Sequence, residues 1–491
     1  MNYVGTARPI HDAKGKATGY TKYAGDLSLP NMAYLCMLHS KIPHGYVKAV
    51  HAEKALALPG VYGVYHCLNT TDRKYNRYRS NFDQSYLPNE ECAFNDYVRF
   101  VGDKIGVVAA CDQETAERAA RLVEVEYEEL PFSIGFDDTL AGKNCLEGET
   151  PVRDEYELDV GEKQGSAEGL IEVCSTMELP RLHHATMETH ACIADYDPYS
   201  DMLTVYCPNQ AVHGIRTVLA DFLEMPESHV RVVKATMGGS FGAKQEWFLE
   251  PVTALVAKKL CRPVKLVYSR GEAMTDTIVR GAMRMSARGY YTPDGEMKEI
   301  YCDVTLDAGA YIGNAGDYVR ALAGKPTRCY RIPYMHYHGQ VISSNSPVSG
   351  AFRSWSAAEE ALMMERQLDA AAEKLGMDRL AIRLKNVARS GEEDKKLHLS
   401  LEDIRIGDAI TLGSEKFGWD KLKAEDAAFN ASQQRYRRGV GIGIGGHGNT
   451  YFPRFNDYGE GSISLNADGS MQANFTLHDH GCGTVTAMRM I

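Results

Sequence analysis

Residues 234–251, "KATMGGSFGAKQEWFLEP", set three glycines and a phenylalanine between a β-branched run, "HVRVVKAT", and a segment of helical spacing, "FLEPVTALVAKKL". The first reads as a strand and the second as a helix, so the glycines form a strand-to-helix junction. Backbone N–H groups at such a junction lack partners inside the helix and point outward, which makes a concave site for anions or for close approach of cofactor atoms. The nucleotide loops fail on the residues themselves. A Walker loop needs lysine directly after its last glycine, whereas Ala243 separates Gly242 from Lys244 and Gln245 follows. The dinucleotide fingerprint needs glycine where Ser240 stands, and has Ala243 in its last, more tolerant place. A turn that serves only chain reversal is the plain alternative, so the reading depends on what surrounds the loop.

Working outward, "ACIADYDPYSDMLTVYCPNQ" reads as two strands joined by a turn, "AVHGIRTVLADFLEM" as a helix and "PVKLVYS" as a strand. Towards the N-terminus, "MAYLCMLHSKI" and "YVRFVGDKIGVVAAC" read as strands, and "VEVEYEEL" alternates as a half-buried strand does. Asp112 can cap "QETAERAARLV", whose Ala116, Ala119, Ala120 and Val123 share one helical face. A helix over 357–375 carries Leu362, Leu368, Ala372 and Leu375 towards a core, with Gly376 as its C-cap and Asp378 opening the next helix. "RSGEEDKKLH" reads as a solvated turn. The fold class is α+β. Residues 1–135 form a small unit, 136–168 a linker containing Gly and Asp, and 169–425 a larger domain, with 436–491 beyond it.

A chain of 491 residues needs more than one core, and its apolar content is ample. With 54 basic against 65 acidic side chains the formal charge is -11, which argues against nucleic acid or an anionic membrane as the main partner, although a local basic pocket survives any net count. The twelve cysteines include no C-x-x-C pair, so neither a zinc site nor an iron–sulfur ligand set is written here, and the spacing fits reduced thiols in a cytoplasmic protein. No run of about 18 uncharged apolar residues could span a membrane, and "MNYVGTARPIHDAKGKATGY" has no apolar signal core.

Together these motifs resemble those of the molybdenum-binding large subunit of the xanthine dehydrogenase and aldehyde oxidase family of molybdenum hydroxylases. "MGGSFGAK" is similar to the family's G-G-G-F-G-x-K segment and "HHATMETHACIADYD" to its H-x-x-x-E-x-H-x-x-x-A segment, and "PNQ" stands at the expected place. "SGAFRSWSAAEEALMMERQLDAAAEKLGMDRLAIRLKN" is similar to its F-R-G-F segment and the helix and R-x-K-N ending that follow. Residues 1–135 resemble its hammerhead domain in "YAGDLSLPNMAYLCMLHSKIPHG" and "FVGDKIGVVAA". The resemblance covers the chain. It implies an N-terminal hammerhead α/β domain followed by molybdopterin-binding α+β domains, the last one incomplete.

The resemblance also implies site residues. Gln210 would lie beside molybdenum, where a neutral amide can donate a hydrogen bond without adding charge. Phe241 and Gly242, after Gly239, would present backbone and ring to the metal, and Arg353, after Phe352, would sit at metal and pterin; Gln210, Phe241 and Arg353 thus make the molybdenum environment. Arg320 matches a substrate-orienting arginine of purine-active relatives, whose guanidinium can stabilise charge growing on the heterocycle. Trp355 stands where such relatives have a phenylalanine platform, and Gln245 where many have a substrate-facing glutamate. Gly481, Cys482 and Gly483 resemble a pterin-contacting G-Q-G turn, with Cys482 in place of the glutamine.

The implied reaction inserts water-derived oxygen into an aromatic N-heterocycle, a purine such as xanthine or hypoxanthine; an aldehyde, a nicotinate-type heterocycle or a truncated non-catalytic homologue are the alternatives. A glutamate base would drive attack on a carbon beside a ring nitrogen, and electrons would leave through 2Fe-2S clusters and FAD on partner subunits. This chain would hold molybdenum-molybdopterin, with or without a cytosine dinucleotide. The base belongs to the part of the family pattern beyond Ile491, so no catalytic residue is assigned here. A separate chain with the rest of the molybdopterin-binding region is expected to be needed for activity. His183, His184, Glu188 and His190 lack H-E-x-x-H order and read as a polar core near the cofactor. His478, His480 and Cys482 alternate as ligands on a strand could, loosened by Gly481 and Gly483.

Overall fold

The computed structural model describes residues 3–78, 86–144, 146, 148–163, 165, 168–432, 435–448, 459–477 and 479–491. Alternating burial builds its first sheet of seven strands, in the order Val230–Lys234, Met202–Cys207, Ala191–Asp197, Val264–Val267, Ala33–His39, Lys104–Ala110, Val61–His66. Leu35, Met37, Val107, Leu203, Val205 and Leu266 point to one face and pack with Val218 and Leu219 of the helix Val212–Phe222 and with Val252 and Val256 of the helix Glu250–Leu260.

This sheet crosses the expected boundary at 135. Ala33–His39 pairs in parallel with Val264–Val267, Leu35 opposite Leu266, so the N-terminal unit shares a sheet with the larger domain. Charge crosses the same seam. The fully buried Lys104 lies 3.4 Å from Asp276 and 3.8 Å from Glu91, and Asp276 also accepts from the Tyr268 hydroxyl. Such buried pairs add little net stability, but breaking one leaves a charge stranded.

The second sheet runs Val152–Gly161, Tyr334–Ile342, Met297–Asp307, Ala282–Tyr291, Ile171–Leu179. Its first strand corrects the linker expectation for 136–168. In "VRDEYELDVG" apolar Val152, Tyr156, Leu158 and Val160 alternate with charged residues, and the segment pairs antiparallel with Tyr334–Ile342 as an edge strand. The helix Ala357–Leu375 covers this sheet with Met363, Met364, Leu368 and Ala372, while Leu362 is 36% exposed, contrary to the helical face expected for it. Gln367 stitches helix to sheet, accepting from the Ser175 hydroxyl at 2.6 Å and donating to the Val173 carbonyl at 2.9 Å. Gly376 closes the helix in the left-handed region, and the Asp378 carboxylate caps Arg379–Asn386 through the amides of Leu380 and Ala381.

Towards the C-terminus, Gly461–Leu465 and Met471–Phe475 form a two-stranded hairpin in which Ile463 faces Ala473 and Leu465 faces Met471. Period two puts Gly461, Ile463, Leu465, Met471, Ala473 and Phe475 on one side and Ser462, Ser464, Gln472 and Asn474 on the other. The apolar side is open: Ile463 is 68% exposed, and Leu465 and Met471 74% each. Among the described residues no helix is long and apolar enough to cross a membrane.

Candidate cofactor site

Four segments meet beside the C-terminal ends of Met202–Cys207 and Val230–Lys234. They are 183–190, the Pro-Asn-Gln stretch 208–210, the glycine loop 237–246 and the turn 350–356. The loop is not at a helix N-terminus, as its sequence had suggested, because the helix begins only at Glu250. Its amides turn instead to local acceptors. Gly238 N–H donates to the Glu188 carboxylate at 2.7 Å, and the amides of Gly242 and Lys244 donate to the Ser240 hydroxyl oxygen at 3.3 and 3.2 Å.

Ser240 then orients Gln210. Its hydroxyl donates to Gln210 Oε1 at 2.5 Å, while Gln210 N–H donates to the Lys244 carbonyl at 2.8 Å. Phe241 sits at φ +53°, a region that costs a β-carbon-bearing residue energy, and its ring is half exposed. Its carbonyl accepts from Arg353 N–H at 2.8 Å, which ties the loop to the 350–356 turn. That approach requires Gly242: at φ +104°, a β-carbon there would lie 2.4 Å from the Ala351 carbonyl oxygen. Gln210, Phe241 and Arg353 are thus linked by consecutive hydrogen bonds through Ser240 and the loop backbone.

The surrounding titratable groups are arranged so that little net charge is buried. Lys244 and Glu188 pair at 2.6 Å. His184 donates from Nε2 to the Ala351 carbonyl at 2.8 Å and His190 to the Ala243 carbonyl at 2.9 Å. Burial holds their pKa values down at about 4 and about 3, so both are neutral. Burial also raises Glu246 to about 8, which leaves it a neutral acid between Asn209, whose side-chain amide donates to its carbonyl at 2.8 Å, and the Ala351 amide, 3.4 Å from its carboxyl. His184, Glu188 and His190 therefore hydrogen-bond within a polar core.

The remaining expected residues are placed as follows. Phe352 lies between the His184 ring, 4.3 Å away, and the Arg280 guanidinium, also at 4.3 Å. Trp355 packs edge-on to Tyr318 at 5.2 Å. Gln245 is half-buried, its amide donating to the Gly242 carbonyl at 3.3 Å, and Gly239 takes φ +99°. Arg320 lies on the same helix as Tyr318 but forks onto Asp154 at 2.6 and 2.7 Å, on the side of the second sheet. In this arrangement its guanidinium is paired with the Asp154 carboxylate at a partly exposed position. Lys234, at the end of its strand, donates to the Asp479 carbonyl at 2.7 Å and so brings the Gly481–Cys482–Gly483 turn near the loop. Asp479 takes the amides of Gly481 and Gly483 at 2.8 and 3.4 Å, and Cys482 is exposed. His478 lies outside the described residues, among which no three His, Cys, Asp or Glu side chains could hold a metal ion.

Sequence reasoning missed Ser240 as an orienting group, although its signal was its departure from the family's third glycine. It also passed over Asn209 and the buried Lys244, and gave Glu246 no role. The site fits a large cofactor on three observations. The glycine loop approaches the 350–356 turn closer than any side chain would allow. Phe241 and Met187, 50% and 93% exposed, leave an apolar rim open. Among the described residues, His190 Nδ1, Glu188 Oε1, Glu246 Oε2, Arg280 Nε and Trp355 Nε1 are buried without hydrogen-bond partners, where proteins ordinarily satisfy such atoms.

Comparison with known proteins gives this arrangement its class. Residues 151–387 and 412–491 match the models of two molybdopterin cofactor-binding domains, and 18–131 match the a/b hammerhead domain of aldehyde oxidase and xanthine dehydrogenase. The chain is 29% identical over 488 residues to the xanthine dehydrogenase molybdenum-binding subunit of Escherichia coli O157:H7, covering 97% of itself and 63% of that protein. It is 30% identical over 384 residues to the nicotinate dehydrogenase large molybdopterin subunit of Eubacterium barkeri, covering 77% of itself and 88% of that subunit. Quinoline 2-oxidoreductase from Pseudomonas putida 86 shares the fold, with a TM-score of 0.86 at 21% identity over 99% of this chain and 64% of that one. The chain belongs to the molybdenum-binding large subunits of the xanthine dehydrogenase and aldehyde oxidase family. It spans less than two thirds of the length of the Escherichia coli relative.

Proposed function

We propose that this chain holds a molybdenum-molybdopterin cofactor and forms part of a hydroxylase acting on an aromatic N-heterocycle, a purine such as xanthine or hypoxanthine. The observation that carries the reading is the hydrogen-bonded run Gln210–Ser240–Phe241–Arg353 around a loop that only glycine at 242 permits. When bound, the group supplies the two-electron acceptor and the activation of water. The residues of this chain bind and orient. Gln210, held through Oε1 by Ser240, brings an uncharged amide to the site. Arg353 brings a permanent positive charge suited to the anionic parts of the cofactor. Trp355 offers a flat face beside the turn, and neutral His184, His190 and Glu246 keep unbalanced charge out of the wall.

Purines are favoured by the likeness to the xanthine dehydrogenase subunit along nearly the whole chain. A nicotinate-type heterocycle is the second reading, supported by the relative of which this chain covers 88% and by Gln245, a neutral amide where a substrate-facing glutamate is expected for xanthine. The uncovered apolar side of the Gly461–Leu465 hairpin is suited to packing against a further protein surface, since an isolated hairpin is marginal in water. FAD and 2Fe-2S subunits take the electrons onward, and the complex works in the cytoplasm.

The test is oxidation of xanthine, hypoxanthine and nicotinate by the assembled enzyme, with molybdenum measured in the same sample. Molybdenum with purine turnover is the expected result. Molybdenum with nicotinate turnover alone selects the second reading, and a metal-free assembly contradicts both.

A further inference from the structure

The turn Phe352–Ser356 carries two of the proposed site residues, yet its sequence does not favour its shape. Ser354 and Ser356 both lie in the left-handed region, at φ +63° and +57°, which serine adopts far less readily than glycine. Two cations reach this turn from other elements. Arg280 donates from Nη2 to the Arg353 carbonyl at 2.6 Å and from Nη1 to the Glu359 carboxylate, and its guanidinium lies against the Phe352 ring. Lys325, which precedes the short helix Pro326–Cys329, donates to the Trp355 carbonyl and, at 2.6 Å, to the Ser356 hydroxyl. Glu359, buried in the first turn of Ala357–Leu375, pairs with Arg280, while burial raises the neighbouring Glu360 to about 8. The carbonyls on either side of Ser354 are thus both held by charge-assisted hydrogen bonds, the stronger kind available to a backbone.

We propose that Arg280 and Lys325 are positioning residues that hold the Phe352–Ser356 turn in its left-handed shape and thereby present Arg353 to the cofactor and Trp355 to the heterocycle. What the turn presents rests on the function proposed above; how it is held rests on the turn's own geometry. The two cations come from different elements, Arg280 just ahead of the strand Ala282–Tyr291 and Lys325 beyond the helix Ala315–Leu322. The turn is therefore braced from two distant parts of the chain before it enters the long helix. Neither cation needs to touch cofactor or substrate.

The experiment is hydrogen exchange read by mass spectrometry on the full chain, comparing wild type, Arg280→Gln and Lys325→Met, each with and without Ser354→Asn. Asparagine enters the left-handed region more readily than serine, so it relieves the shape the cations are proposed to enforce. Either cation variant is expected to speed exchange of the amides of 351–357 by about tenfold, the size of one lost hydrogen bond to a charged group. Exchange in the two large sheets should stay unchanged, and Ser354→Asn should recover most of the lost protection. Unchanged exchange over 351–357 overturns the proposal. Loss of protection throughout the chain that Ser354→Asn does not relieve also overturns it, because the cations would then serve the fold at large. The readout needs neither cofactor nor substrate, so these outcomes are separate from a failure to find molybdenum, which counts against the proposed function alone.

Discussion

At Gly242 the backbone conformation and a carbonyl 2.4 Å from the β-carbon position both forbid a side chain. Gly242→Ala should therefore push the 351–353 segment off the loop, lower stability by about 2 kcal/mol, and deplete molybdenum; a thermal melt and metal analysis check both, and a wild-type value for each would contradict the site as drawn. Ser240→Gly makes a subtler change. It restores the glycine of the family's segment but removes the hydroxyl that fixes Gln210. The variant should keep its metal and lose turnover several-fold, about the effect of freeing one positioned donor, as steady-state kinetics would record. Arg320 gives the opposite expectation. Because its fork is spent on Asp154 at a partly exposed position, Arg320→Ala should cost at most about 1 kcal/mol and leave KM for the heterocycle unchanged; a large rise in KM would restore the substrate-orienting role that its sequence position suggested.

At the scale of elements, what could be read from sequence was whatever is decided locally. Asp112 accepting from the Thr115 amide at 2.7 Å, Gly376 ending the long helix and Asp378 opening the next are contacts within a few residues, and the spacing alone located them. Asp378→Ala should accordingly cost about 1 kcal/mol in chemical denaturation. What depended on distant partners was not legible. "VRDEYELDVG" alternates plainly, but its strand partner Tyr334–Ile342 lies far along the chain, and Gly and Asp nearby suggested a linker. Leu362 fitted a helical stripe, yet the sheet meets the helix on the side of Met363 and Met364, and nothing in the helix's own sequence records that choice. The glycine loop was found by its composition, whereas its closure onto Ala351 depends on tertiary packing.

Across the whole molecule, pH should act from two directions. The two site histidines have pKa values lowered by burial from the ordinary 6.5 to about 4 and about 3. Their contribution is complete above about 6.5 and is lost as pH falls through the folded values. Glu246 has the opposite sign: raised by burial from 4.5 to about 8, it contributes fully below about 4.5, and that contribution drains away as pH rises through 8. Glu246→Gln, which keeps the shape and cannot ionise, should flatten the alkaline fall in thermal midpoint and leave the acid fall in place; an unchanged alkaline limb would place the titrating group elsewhere. The same economy of charge that sets these limits leaves Gln210 and Arg353 to define the polarity offered to a cofactor. The most direct test is therefore elemental analysis of the assembled enzyme purified under anaerobic conditions. The account predicts molybdenum equimolar with this chain in wild type and its loss in Gly242→Ala, whereas an assembly that oxidises the heterocycle without molybdenum would contradict it.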